Sequence, residues 1–141
     1  MRAILQRASA AKVTVDSVTV AEFDRQGIVA LIGVTHTDTT TDAATIARKI
    51  ADLRILDHEQ SVTDAHAPVI VVSQFTLYAD VAKGRRPSWN NAAPAPVAEP
   101  LVNAVVNDLT ARGITTSTGV FGAHMDVHLT NDGPVTIIVD T

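Results

Sequence analysis

Ile28-Val29-Ala30-Leu31-Ile32-Gly33-Val34 is the stretch whose reading decides the fold. It is apolar on both faces, as expected of a central strand covered on both sides rather than a half-wet one. Gln26-Gly27 marks a turn before it, and upstream Val13, Val15, Val18 and Val20 read as two strands around a turn near Asp16-Ser17. Downstream, Thr35 to Thr41 is a polar loop. Asp42 then stands as an N-cap for an amphipathic helix whose apolar stripe is Ile46, Ile50 and Leu53.

Further out, Arg54-Ile55-Leu56 reads as a short strand and Asp57 to Pro68 as a polar connection. Val69-Ile70-Val71-Val72-Ser73-Gln74-Phe75-Thr76-Leu77 reads as a second buried strand. Asp80 to Pro96, rich in Gly, Pro and Ala, predicts a long loop. Leu101, Val105 and Leu109 give a second helix, ended by Gly113, with Pro96 and Pro100 in its first turn or lead-in. Val120 to Leu129 alternates apolar with polar residues and predicts a half-buried strand, followed by a turn at Asn131-Asp132-Gly133-Pro134 and a last strand over Val135-Val139. At least six strands and two helices outside a β-α-β repeat place the chain in the α+β class. The expected architecture is mixed, largely antiparallel β-sheets forming a sandwich or partial barrel, with two main helices packed outside.

The chain has 141 residues and is 46% hydrophobic and 18% charged, which suits a single domain over 1–141. No apolar run approaches the roughly 18 residues of a membrane span. Arg2 and Arg7 leave no room for a signal-peptide core, so a cytoplasmic protein with no membrane partner is expected. There is no Cys, which removes disulfides, thiolate nucleophiles and Cys-ligated metals. A net charge of −4 argues against coating long nucleic acid, and no DNA partner is expected, but a small RNA footprint is compatible with Lys83, Arg85 and Arg86. No P-loop, dinucleotide pattern or Gly-x-Ser-x-Gly elbow occurs. His124, Asp126 and His128 alternate on one strand face and could hold a metal ion, but a solvated polar face accounts for them better, and no metal or other cofactor is expected.

Two features are odd. Ser73, Gln74 and Thr76 interrupt an apolar run, where buried polar groups need hydrogen-bond partners. Gly133-Pro134 precedes a strand, and a peptide bond before proline has access to the cis form.

Ser73-Gln74-Phe75-Thr76-Leu77 together with Asn131-Asp132-Gly133-Pro134-Val135-Thr136 resembles the paired signature of the D-aminoacyl-tRNA deacylase family, of the D-tyrosyl-tRNA deacylase type. Further matches are Gln6-Arg7, Gly33-Val34 with Asp38, Lys49-Ile50 with Leu53-Arg54-Ile55, Lys83-Gly84-x-Arg86-Pro87-Ser88, and Thr118-Gly119-x-Phe121-Gly122-Ala123-x-Met125. Ala8 and Trp89 depart from the residues common in the family at those positions.

The resemblance implies a homodimer that hydrolyses the ester between a D-amino acid, or glycine, and the 3′ end of tRNA, a proofreading step in translation. It implies a catalytic region at Ser73, Gln74, Phe75 and Thr76, and substrate contacts from Gly133, Pro134, Arg7, Leu77, Phe121 and Met125. A cis Gly133-Pro134 bond would reach across the dimer to reject L-substrates. Lys83, Arg85 and Arg86 are the expected tRNA contacts. Thr76 stands either as nucleophile or as a hydroxyl that orients water, and assistance from a ribose hydroxyl of the substrate is the favoured expectation. A non-catalytic module that binds an RNA end or a peptide, and a metal hydrolase built on His124, Asp126 and His128, are the competing classes.

Overall fold

The computed structural model describes residues 1–141. Six strands form one sheet: β1 (Arg2–Val15), β2 (Val18–Phe23), β3 (Gly27–Gly33), β4 (Val69–Ser73), β5 (Thr116–Thr118) and β6 (Asp126–Asp140). Strand β1 pairs antiparallel with β2, β3 and β6, whereas β3, β4 and β5 run parallel to one another. The parallel half exists because helices carry the chain between its strands: α1 (Thr40–Asp52) and the short α2 (Val62–Ala65) before β4, and α3 (Ala95–Ala111) before β5. Strand β2 curls back toward β5, so the mixed sheet nearly closes into a barrel.

Both faces of β3 and β4 are buried, as the run from Ile28 predicts. Ile28, Ala30, Ile32, Val69 and Val71 pack under α1 and α3, with Ile46, Ile50, Val105 and Leu109 opposite. Val29, Ile70 and Val72 face the inside of the curl, against Ala8, Val13, Ala21 and Phe23. No helix is long and apolar enough to cross a membrane.

Several elements differ from the sequence expectations. Most of β1 carries no alternation to announce it, because Ala8, Ala10 and Ala11 are small on both faces. Thr39, not Asp42, is the N-cap of α1, and Asp42 sits three residues later, its Oδ2 accepting from the Thr39 amide at 2.8 Å and hydroxyl at 2.7 Å. Those two donors hold the Asp42 carboxyl down to about 2. Arg54-Ile55-Leu56 is no strand, since only Leu56 is bridged, to Gln60. Strand β4 ends at Ser73, and Phe75–Tyr78 is a 3-10 turn instead of more strand.

The alternation from Val120 likewise does not form a strand until Asp126, because Gly122 at φ +74 belongs to a turn. Asn131 to Pro134 is not a terminal turn either. It is a bulge inside the continuous β6, where Gln6 pairs with Thr136 and Ala8 with Asn131, leaving four residues opposite Arg7.

Candidate active site

The end of β4 explains the polar interruption. Ser73 is level with Ile32 of β3, and the Gln74 amide donates to the Ile32 carbonyl at 2.8 Å before the chain turns off the sheet. Gln74 Nε2 donates to Thr76 Oγ1 at 2.5 Å, so the Thr76 oxygen is used as an acceptor and its own proton is left to donate elsewhere. As at the start of any helical turn, the first amides, those of Phe75 and Thr76, have no backbone acceptor within the chain. Gly33 lets the turn seat on β3, because a Cβ there would stand 3.0 Å from Leu77 Cβ and 3.1 Å from the Gln74 carbonyl oxygen.

A cavity of about 370 Å³ opens beside this turn. Ser73, Gln74 and Phe75 form one wall, Phe121, Met125 and Val127 another, and Ala93, Ala95 and Ala98 a third. Of the expected site residues, five therefore share the cavity: Ser73, Gln74, Phe75, Phe121 and Met125. Thr76 is joined to it through Gln74, and Leu77 packs behind the turn at Gly33. The sequence did not single out the alanine wall, since small residues after a loop carry no chemical signal. His124, read as one of three residues on a polar strand, is the one titratable side chain that lines the cavity. No three His, Asp or Glu side chains gather as a metal site. A wider hollow of about 610 Å³ lies over Lys12, Glu22 and His128 and contains none of the expected residues.

Arg7, Gly133 and Pro134 lie elsewhere. Arg7 pairs with Ile28 at the start of β3, whereas the cavity reaches Ile32 and Val34, roughly 13 Å along the strand at about 3.3 Å per residue. Arg7 Nε donates to the Asp132 carbonyl at 3.0 Å and Nη1 to the Ile55 carbonyl at 3.0 Å, with Asp57 and Asp132 carboxylates each at 3.5 Å. Gln26 Nε2 adds a bond to Asp132 Oδ2 at 2.7 Å. Arg7, expected as a substrate contact, instead holds the bulge through the Asp132 carbonyl. The expected cis bond is not found: no peptide bond of the chain is cis. Gly133 at φ +97 already redirects the chain, and the trans form before proline is favoured by about 0.5–1 kcal/mol unless contacts lock the other.

Lys83, Arg85 and Arg86 are exposed, and none pairs with an acid. They form the tip of a loop closed at its base, where Asp80 and Ser88 exchange amide bonds at 2.9 and 3.1 Å.

Residues 4–140 match the family described as D-Tyr-tRNA(Tyr) deacylase. The chain belongs to that family. A D-aminoacyl-tRNA deacylase of Beutenbergia cavernae is 59% identical over 140 residues, covering 99% of each chain. Among solved structures, a protein named c-Myc DNA unwinding element binding protein superposes with a TM-score of 0.91 at 36% identity, covering 100% of this chain and 99% of the other. A probable eukaryotic D-amino acid tRNA deacylase shares the fold, with a TM-score of 0.86 at 17% identity over 99% of this chain and 98% of that one.

Proposed function

We propose that this member of the family hydrolyses the ester linking a D-amino acid, or glycine, to the terminal ribose of tRNA, acting in the cytoplasm as a homodimer. The observation that carries the reading is the character of the cavity wall. It offers the free amide of Phe75 and, joined through Gln74, the free amide and donor hydroxyl of Thr76; His124 is its one titratable side chain, with no carboxylate and no lysine. Such a site suits an already labile ester: the amides stabilise the oxyanion as water adds to the carbonyl, and the ester C–O bond then breaks to leave D-amino acid and a free ribose hydroxyl. The neighbouring ribose hydroxyl is the group best placed to hold the water, so the RNA assists its own hydrolysis.

Selection against L-substrates needs a wall, since both enantiomers carry the same groups. The Gly133-Pro134 bulge is rigidly clamped yet exposed, and it lies too far along its own sheet to border its own cavity. It serves the cavity of a second copy: the partner subunit's Gly133 brings backbone, without a Cβ, against the substrate amino group. Glycine has no side chain for that wall to exclude and passes the filter. The exposed Ile138 and Val127 of β6 give the two copies an apolar surface to share. Lys83, Arg85 and Arg86 take the tRNA backbone. With a net charge of −4, the DNA-binding named for one solved relative is not carried to this chain.

The test is incubation of the purified protein with matched D- and L-aminoacyl-tRNA. Free amino acid is expected from the D-ester and from glycyl-tRNA only. Release from neither, with tRNA bound, makes the protein a binding module.

A further inference from the structure

Two large aromatic side chains stand in the open at the mouth of the cavity. Phe75 is 54% exposed and Trp89 43% exposed, and their rings meet edge to face with centroids 5.4 Å apart at 81°. Such a pair covers little of itself, so each ring keeps a face for something else. Trp89 is also firmly placed. On one side Ser88 is bonded to Asp80. On the other, the Asn90 carbonyl meets His36 Nε2 at 2.9 Å, the Asn91 carbonyl accepts from Thr35 Oγ1 at 2.7 Å, and the Ala92 amide donates to the Trp89 carbonyl at 3.0 Å. The same loop carries the three unpaired cations Lys83, Arg85 and Arg86 at its tip.

A rigid, exposed aromatic beside unpaired cations is the arrangement that binds single-stranded nucleic acid, with bases stacking on rings and phosphates meeting the charges. The cavity itself, at about 370 Å³, has room for one aminoacyl nucleoside and no second base. We infer that Phe75 and Trp89 form a stacking platform for the unpaired nucleotide preceding the terminal adenosine, whose phosphate lies toward Lys83, Arg85 and Arg86. This rests on the reading of the cavity as a deacylase site and extends it from the ester to the strand behind it.

Trp89 is the one tryptophan of the chain, so its emission reports the platform directly. Two measurements test the inference. Titration of the whole protein with the trinucleotide CCA is expected to quench tryptophan emission to saturation, while free adenosine does so far less. Trp89→Ala is expected to raise KM for D-aminoacyl-tRNA about tenfold more than it raises KM for D-aminoacyl-adenosine, the scale of one lost stacked base, with Trp89→Phe restoring most of the difference.

Absence of quenching overturns the inference. So does an equal change of KM for both substrates, which makes Trp89 a prop for Phe75, or dissociation of a dimer by Trp89→Ala, which makes the pair a subunit contact. If the wild type releases no amino acid from either substrate, the deacylase reading fails, and the quenching titration still decides the stacking.

Discussion

The two ends of strand β3 use charge differently. At its C-terminal end, Ile32 and Gly33 support a turn held by backbone bonds and by Arg2, which is paired with Asp140 at 2.7 Å and donates to the Leu77 carbonyl at 3.4 Å. The cavity beside it is walled by alanines, aromatics and Met125. At its N-terminal end, Arg7 converges on Asp57, Asp132 and two backbone carbonyls to grip a bulge set apart from that cavity. One end keeps Lys, Arg, Asp and Glu out of its cavity lining. The other spends charge on stiffening backbone, which suits a wall rather than a catalyst. The difference teaches that what matters is where the charge lands: at the bulge it meets backbone opposite a strand, and at the turn it stays outside the cavity lining.

Breaking the cavity end has the largest expected effect. Thr76→Arg is expected to abolish hydrolysis by occupying the turn, whereas Thr76→Ala is expected to retain activity within about tenfold, because no base is fixed beside the hydroxyl. A loss on the order of 10⁴-fold in Thr76→Ala, with the fold intact by circular dichroism, assigns Thr76 the nucleophile's role instead.

The bulge end comes next. A Cβ on Gly133 would collide with the Arg7 guanidinium, and φ +97 strains any other residue there. Gly133→Ala is therefore expected to cost about 1–2 kcal/mol of stability by chemical denaturation and to slow D-ester hydrolysis about tenfold or more. Mixing it with Thr76→Arg sharpens the comparison. If wall and cavity come from different subunits, mixed dimers regain one working site, and no recovery after subunit exchange places both in one chain.

Charge reversal of Lys83, Arg85 and Arg86 together is expected to weaken tRNA binding and flatten its salt dependence by up to about three phosphate contacts, without altering the preference for D over L. Unchanged affinity across salt returns these residues to ordinary surface.

The smallest effect concerns neither end. Asp42 is held at about 2 by Thr39, against an ordinary 3.8, so its contribution is present above the ordinary value and is lost as pH falls from about 4 through 2. Acid unfolding of Asp42→Asn is expected to lose part of that pH slope while neutral-pH activity is unchanged.

How much of this was legible in the sequence varies with the length of the physical signal. The Ile28 run and the stripes of α1 and α3 are local patterns, and they held. Strand β1 was legible only at its end, since Ala8, Ala10 and Ala11 gain their strand character from three neighbours that the sequence does not display. The alternation after Val120 misled because Phe121 and Met125 face a cavity instead of a sheet layer. In the site, Ser73 and Gln74 were visible as polar residues in an apolar run. The separation of Gly133 from the cavity was not, because it follows from strand register, which composition does not encode.

That register has a consequence for how the molecule is made. Strand β6 lies along β1 from Arg2 to Thr14, so the last strand of the domain completes its first. More than a hundred residues separate them, which at about 5–20 residues per second leaves the partnerless edge of β1 waiting on the order of ten seconds during synthesis. Domains closed by such distant pairing fold slowly. Pairing of β6 along β1 is the step that both seals the sheet and forms the Gly133 bulge, so a chain stalled before Asp126 has the Phe75–Tyr78 turn but neither the bulge nor the Val127 side of the cavity.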